Sequence, residues 1–412
     1  MRICLVAEYF EPGGPGGTPS KMPELVREMK RQHDDAEIDV IASRNYYRAE
    51  GPKLPALEEW EGARVTRLSV PPSNRPSTLQ RVAAGVLFSC RALASACTRR
   101  RYDVILVGTN PPPAPLAGRC ARALTGVPYV YLIHDLYPDT AVALGHLSQD
   151  GRPARIARRC QTKWLQSAAG VIVLGRCMAE HVASEYGVSE DALDVVPMWA
   201  DPDEIPMLPK STPYREKNDL SGFLIFYSGN IGHYQDFETV LRAAKLLKDE
   251  RPDITFVLVG DGAQRETLEQ RVADEQLANV RMMPFVPAED FPSALASADA
   301  LLVSLAPGIE GLCVPGKFYT SLAAGRAILG ISGPRSEIAR VLTEAECGLH
   351  VRNGQAEEFA DAATRLADDA ALTEKLGHNA RQVLCDKFTL ETAATDFYDV
   401  LERAAAGSAS PE

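Results

Sequence analysis

The chain has 412 residues, 45% of them hydrophobic and 24% charged, with 44 Lys and Arg against 55 Asp and Glu for a net charge of −11. That length exceeds a single hydrophobic core and predicts two domains of roughly 200 residues each, while the acidic balance argues against nucleic acid as a partner. No apolar run reaches the roughly 18 residues needed to span a bilayer, and the nine cysteines are scattered without a CxxC pair, which excludes the usual zinc spacing.

Read in chain order, MRICLVAEYF is a strand at once, without the basic and apolar regions of a signal peptide, and with the unpaired cysteines it predicts a cytoplasmic protein. Apolar runs at 3–7, 37–42, 65–69, 104–107, 129–133, 171–174 and 193–196 read as strands, followed after a gap by runs at 223–227, 255–259, 280–283, 300–305 and 327–331. Amphipathic stretches such as 20–31, 237–248 and 263–275 separate them. Continuous Val, Ile and Leu between helices is the pattern of parallel strands covered on both faces. The predicted fold is therefore α/β, two doubly wound, Rossmann-like parallel-sheet domains. The stretch 196–219 carries five prolines and many charges and reads as the linker. The expected division is 1–205 and 206–388, with a last amphipathic helix at 389–406 packing back on the first domain.

Charge is unevenly placed. Residues 1–200 hold 24 Lys and Arg against 21 Asp and Glu, and residues 201–412 hold 20 against 34. In the first half, an apolar helix at 79–97 is flanked by Arg75, Arg81, Arg99, Arg100 and Arg101. Such a segment suits an anionic membrane surface, and equally a buried crossover helix with a solvated basic end.

Ligands of open α/β sheets sit outside the carboxyl ends of the strands, so the strand-end loops hold the candidates. The first, EYFEPGGPGGTPSK at 8–21, contains Gly13, Gly14, Gly16 and Gly17, which permit close backbone approach to a ligand; it has neither GxGxxG nor P-loop spacing. HDLYPD at 134–139 places His134 and Asp135 at a strand's carboxyl end. YSGNIGHYQDFE at 227–238 offers Gly229, Asn230, Gly232 and Gln235 in a loop whose amides can meet a phosphate, and VGDGAQRETLE at 259–269 sets Gly260, Asp261 and Gly262 ahead of a helix. LVSLAPGIEGLCVPGKFYTSLAAGRAIL at 302–329 runs from a strand through a Gly/Pro loop into a helix beginning at Lys317. A cation in that first turn opposes the helix dipole unless an anion is bound there; an ordinary surface lysine is the other reading. Asp201-Pro-Asp203 has the DxD form of metal-dependent sugar-nucleotide enzymes but falls in the linker, so no metal ligand and no cofactor is assigned.

These loops, together with MPFVPAEDFPSALASADALLVSL at 283–305, resemble in type and order the retaining GT-B glycosyltransferases of family 4, over nearly the whole chain. The VP-x-K-F-Y form of the last motif is similar to bacterial enzymes of O-antigen, capsule and exopolysaccharide assembly. The resemblance implies a GT-B fold, with two Rossmann-like domains facing each other across a cleft. It implies a nucleoside-diphosphate donor, a UDP-linked hexose or N-acetylamino sugar, and a hydroxyl acceptor on a lipid-linked or glycan substrate. It gives Lys317 the diphosphate, His134 the orientation of the sugar, Glu310 its hydroxyls, and the backbone at Phe285 and Val286 the base. Gly16, Gly17, Asp135 and the loop residues Leu312, Cys313 and Val314 join the substrate-binding set. There are departures. The family's paired glutamates ahead of an Ala–Gly pair fall here on Leu312 and Thr320, with Glu310 a little upstream, and its usual Arg and Lys near the SGNIG loop are Asn230 and Gln235. A sugar-nucleotide epimerase and a non-catalytic sugar-nucleotide or glycan-binding subunit stay open as alternatives.

Overall fold

The computed structural model describes residues 1–13, 18–47, 53–72, 78–99 and 101–407. The chain forms two compact units, Met1–Pro197 with Leu390–Glu412, and Met198–Thr389. Each is built on one sheet.

The first sheet has eight strands: β1 (Arg2–Val6), β2 (Glu37–Ser43), β3 (Leu57–Trp60), β4 (Ala63–Leu68), β5 (Val104–Gly108), β6 (Tyr129–Ile133), β7 (Gly170–Val173) and β8 (Leu193–Val195). Their spatial order is β3-β4-β2-β1-β5-β6-β7-β8. All pairs are parallel except the edge hairpin β3–β4. Helices α1 (Thr18–Gln32), α2 (Thr78–Arg99), α3 (Pro115–Thr125), α4 (Asp139–Ala143), α5 (Arg152–Ser167) and α6 (Arg176–Tyr186) connect the strands. Local chemistry sets their ends: α3 starts with Pro115 at its first position and stops at Gly126, and α6 stops at Gly187, both glycines left-handed.

The second sheet has six strands, all parallel: β9 (Phe223–Ser228), β10 (Ile254–Val259), β11 (Val280–Met283), β12 (Ala300–Ser304), β13 (Ala327–Ser332) and β14 (Gly348–Arg352), ordered β11-β10-β9-β12-β13-β14. Around it run α7 (Pro213–Lys217), α8 (Phe237–Glu250), α9 (Arg265–Asp274), α10 (Phe291–Ala296), α11 (Lys317–Ala323), α12 (Glu337–Glu344), α13 (Ala356–Asp368) and α14 (Ala370–Lys387). Asp236 and Ser336 cap α8 and α12 by accepting from the Thr239 and Ala339 amides. The chain then returns to the first unit as α15 (Leu390–Gly407), which packs on α1.

Five inner strands, β5, β6, β7, β12 and β13, have every residue in the interior. The apolar runs therefore fall where the sequence predicts strands. Two strands escape that reading, β3 (LEEW) and β14 (GLHVR), both at sheet edges where one side stays wet and polar residues interrupt the pattern. In each sheet the strand order reverses once, at β1/β5 in the first and at β9/β12 in the second. Such switch points open a crevice at the carboxyl edge. Most of the described candidate residues collect at these two places.

Candidate active site

At the first switch point a small cavity is lined by Leu5, Ala7, Glu8, Tyr9, Met22, Gly108, Asn110 and His134. His134 follows β6 directly, and its amide donates to Thr109 Oγ1 at 3.1 Å, which fixes where the side chain leaves the backbone. The ring is buried, and neither nitrogen has a hydrogen-bond partner among the described residues. Burial lowers its pKa to about 4, so the imidazole is neutral at physiological pH, able to donate from one nitrogen and accept at the other. Asp135 beside it is pushed up to about 6, again by burial. The second carboxylate of HDLYPD does different work. Asp139 accepts from the Tyr186 hydroxyl and pairs with Arg158, so it ties the start of α4 to α5 and α6. Gly16 and Gly17 lie outside the described residues.

The second switch point brings Gly229, Asn230, Gly232, Gln235, Gly260, Asp261, Gly262 and Lys317 together. Gly260 and Gly262 have φ of +143° and +152°, and a Cβ on either would run into the carbonyl of Gly229 or Ile231. Only glycine allows these two loops to lie backbone to backbone. That packing takes two of the amides expected to cradle a phosphate, and a side chain of the same loop takes a third. Gly229 N–H donates to the Val259 carbonyl at 3.0 Å, Ile231 N–H to the Asp261 carbonyl at 2.8 Å, and Gly232 N–H to Gln235 Oε1 at 3.2 Å. Of these three partners only the Gln235 side chain can swing away for a ligand. The exposed Asp261 carboxylate turns back on the Gly262 amide at 2.7 Å.

Lys317 supplies the charge. Its Nζ donates to the Tyr227 hydroxyl and lies 3.8 Å from the centre of that ring, and Tyr227 in turn donates to the Asn230 carbonyl at 2.6 Å. A Cβ at position 229 would sit 2.9 Å from Nζ, so Gly229 makes room for the ammonium. Desolvation lowers the lysine to about 7 and raises the tyrosine. Tyr227 is fully buried at the end of β9 and packs edge-on against Phe237 with ring centres 5.0 Å apart. Local reading missed this residue because it looks like the last apolar position of a strand; the partnership joins residues 90 apart in sequence. The helix carrying Lys317 is only seven residues long, and the Phe318 and Tyr319 amides are already bonded to the Pro315 and Gly316 carbonyls. The side chain, more than the helix end, makes this edge positive.

The segment between β12 and α11 holds the remaining candidates. Ala306 N–H donates to the Tyr234 carbonyl at 2.7 Å, anchoring it to the loop after β9. Glu310 lies against the α-carbon of Gly333, and any side chain there would displace it; one of its oxygens is buried without a partner among the described residues. Leu312, Cys313 and Val314 turn their side chains into the interior, which leaves the backbone as the part able to meet a substrate. Thr320 directs its hydroxyl to the Lys317 carbonyl at 2.9 Å. Phe285 is exposed, Val286 is half-buried, and the β11 end just before them accepts the Gly260 amide at the Met283 carbonyl, 3.0 Å away. In the linker, Asp201 accepts from the Asp203 amide at 2.8 Å, a turn of its own backbone.

Two parallel-sheet Rossmann-like domains, each with its polar cluster at a switch point, are the architecture of the GT-B class. Residues 16–199 match the glycosyl transferase 4-like domain, and residues 212–383 match the glycosyl transferases group 1 family. WbjE of Pseudomonas aeruginosa, named as a glycosyltransferase, is 32% identical over 284 residues, covering 68% of this chain and 70% of its own length. WcaI of Escherichia coli strain K12, named for colanic acid biosynthesis, is 27% identical over 308 residues, 70% of this chain and 74% of that one. Among solved structures, sucrose-phosphate synthase from Thermosynechococcus elongatus superposes with a TM-score of 0.79 at 17% identity, covering 98% of this chain and 99% of its own. Anabaena HepE, solved with UDP-glucose, gives 0.70 at 18%, with 98% and 99% covered. The chain belongs to the family 4 GT-B glycosyltransferases, and it is an enzyme of that type.

Proposed function

We propose that the protein transfers a hexose or N-acetylamino sugar from a UDP-sugar, with retention of anomeric configuration, to a hydroxyl of a lipid-linked or glycan acceptor in cell-surface polysaccharide assembly at the cytoplasmic membrane face. The donor role falls to the second domain and the acceptor role to the first. The observation that carries this reading is the Lys317–Tyr227 pair at the β9/β12 switch point, a buried amine lowered to about 7 and held in place, with no carboxylate among the described residues paired to it, so that an arriving diphosphate would favour its charged form. Similarity to WcaI supports the polysaccharide setting, and the likeness of fold to HepE is compatible with UDP.

As the glycosyl–phosphate bond breaks, its electron pair goes to the β-phosphate oxygen. Lys317 offsets that charge from a fixed position, the kind of preorganised electrostatics that lowers a barrier without reorganisation. The acceptor oxygen bonds to the anomeric carbon on the face the phosphate leaves, and its proton passes to the departing phosphate oxygen. No protein nucleophile takes part. The unpartnered oxygen of Glu310 and the unpartnered nitrogens of His134 are suited to sugar hydroxyls, each of which would supply the missing partner. The base would lie by Phe285 and Val286.

A thermal-shift comparison of UDP, GDP and dTDP sugars tests the donor, because a ligand that binds only the folded state raises the melting temperature. NMR of the product's anomeric configuration tests retention. UDP binding without turnover across a broad acceptor panel would replace this reading with a sugar-nucleotide-binding subunit, and free epimerised sugar nucleotide would replace it with an epimerase.

A further inference from the structure

Helices α2, α3 and α5 together carry nine arginines and one lysine and not a single Asp or Glu, in a chain whose net charge is −11. They are neighbours: α3 packs against both α2 and α5. They also share one face of the first sheet. A Cβ at Gly118 of α3 would meet Tyr129, whereas one at Gly170 of β7 would meet Val400 of α15 and, beside Tyr129 on the same strand, Val130. Adjacent strand residues point to opposite faces, so α15 covers the other side. There α1 and α15 carry six acidic residues among their basic ones. Even with α6, which packs on α5 and adds Arg176, Glu180 and Glu185, the two faces differ in charge.

The same three helices expose apolar side chains. Of the nine large hydrophobic residues exposed among the described residues of the first unit, six lie on them: Leu79, Val82, Val86, Leu87, Leu124 and Ile156. Leu79 is 78% exposed and Ile156 60%. Five of the six, Leu124 excepted, belong to the amino-terminal halves of α2 and α5. Those halves lie at the carboxyl edge of the sheet, where His134 is. Gly85 of α2 sits against Pro111 and Pro113, in the loop that begins with the cavity residue Asn110. Arg158 of α5 reaches Asp139, five residues past His134. Among the described residues Arg119, Arg152, Arg155 and Arg159 form no ion pair, and all four are exposed.

We propose that this face docks on an anionic lipid bilayer, with the exposed apolar residues of α2 and α5 entering the headgroup boundary and the arginines meeting lipid phosphates. Scattered apolar residues on a surface call for no explanation, but exposed apolar residues on neighbouring helices that carry ten basic residues and no acid, with Glu185 paired to Arg158 and Asp150 ahead of α5 as acids beside them, are complementary to a negatively charged apolar solvent. The arrangement sets the His134 cavity beside the membrane, where a lipid-linked acceptor presents its hydroxyl. It also relocates the contact that the sequence suggests: Arg101 lies just ahead of β5, at the amino edge of the sheet, away from the cavity. The docking face deepens the acceptor assignment above, and its test needs no turnover.

The full chain should sediment with phosphatidylcholine vesicles that contain phosphatidylglycerol, not with phosphatidylcholine alone, and roughly 0.5 M salt should release it. Exchanging Arg155 and Arg159 for Glu should cut partition at least about tenfold, with melting temperature and UDP binding unchanged. Val82→Ser with Val86→Ser should weaken binding without altering its salt dependence. Arg27→Glu with Arg403→Glu, on α1 and α15, should leave binding intact. Equal partition to both vesicle types, binding to neither, or equal loss in the α1/α15 control would overturn the proposal. Loss of UDP binding with vesicle binding kept would instead count against the donor reading alone.

Discussion

The two domains repeat one architecture and treat the titratable group at its switch point in opposite ways. His134 in the first is buried in a cavity that it shares with Glu8 and Asn110, with both nitrogens unpartnered among the described residues and a pKa lowered to about 4. Lys317 in the second is also desolvated, to about 7, but is tethered to Tyr227, which is tethered in turn to the Asn230 carbonyl. An unpartnered buried polar group costs about 1–3 kcal/mol. Folding tolerates that at His134 because a neutral ring can wait for a ligand hydroxyl. An amine that takes up its proton as the diphosphate arrives has to have its position fixed in advance of the charge it meets. The first site is left incomplete and the second is preorganised.

The largest expected effect breaks the preorganised side. Lys317→Ala should lower kcat/KM more than about 100-fold with the fold intact, since one such group contributes roughly 2.7–4 kcal/mol to a charged transition state. Turnover within a few-fold of wild type would mean that the departing phosphate is held elsewhere. The same residue has a pH signature. Between about 7 and 10.5 the unfolded chain holds a proton that the folded, empty enzyme has released, so unfolding free energy from Lys317 rises with pH across that window. A Lys317→Met variant should lack this rise. Diphosphate favours the ammonium, so UDP binding to wild type should take up a proton at pH 8, visible as a buffer-dependent heat in calorimetry and absent in the variant.

Breaking the incomplete side should cost less. His134→Ala should reduce kcat/KM roughly 10- to 100-fold, the loss of one or two hydrogen bonds to sugar hydroxyls, with UDP affinity unchanged and partial recovery in His134→Gln. Because the ring stays neutral down to about pH 4, His134 should contribute no inflection to the pH–rate profile between 5.5 and 8. Its stability effect has the same sign as that of Lys317 and lies in a lower pH window. From pH 6.5 down to about 4 the unfolded chain binds a proton that the folded chain refuses, so stability falls with acid there, and His134→Gln should flatten the fall. An inflection near 6.5 that disappears in the variant would place the ring in water.

Tyr227→Phe sharpens the comparison. It keeps the buried ring and removes only the hydroxyl that links Lys317 to Asn230. The expected cost is about tenfold in kcat/KM, in line with roughly 1.5 kcal/mol for a hydrogen bond to a charged group. A merely structural tyrosine would change melting temperature alone. A positioning one should also shift the pH at which UDP binding takes up its proton, because the lysine then meets a different environment.

Much of the fold is legible in sequence because buried parallel strands are written in one alphabet, as YVYLI at 129–133 and ALLVS at 300–304 show. The edge strands LEEW and GLHVR are not, since half-wet edges follow solvent more than core. The glycine loops and Lys317 are legible by type and place. Tyr227, Gly333 and the tie from Asp139 to Tyr186 and Arg158 are not, because each is a contact between residues distant in sequence whose local setting is ordinary. The occupied amides of Gly229 and Ile231 teach the same lesson in reverse: a glycine-rich loop looks like a phosphate cradle until the partner loop claims its donors.

The smallest expected effect is none at all. Metal-dependent transfer places a divalent ion on the diphosphate, where it does what Lys317 is positioned to do here. A second positive centre would need acidic ligands near the β9/β12 edge. Glu310 is assigned to sugar hydroxyls, and no group of three possible metal ligands occurs among the described residues; the other carboxylates named there are Asp261, turned onto its own following amide, and Asp236, which caps α8 and accepts from Asn353 at 2.9 Å. Neither is free to bind an ion without undoing the loop it supports. Asp201, whose sequence context most resembles a metal motif, is held in a linker turn. EDTA should therefore leave the initial rate unchanged in wild type. It should also leave unchanged the residual rate of Lys317→Ala, a harder test because a metal, if present, would be the remaining source of positive charge. Loss of either rate on chelation, restored by Mn²⁺ or Mg²⁺, would show that the lysine shares its task and that the preorganised half of the comparison is itself incomplete.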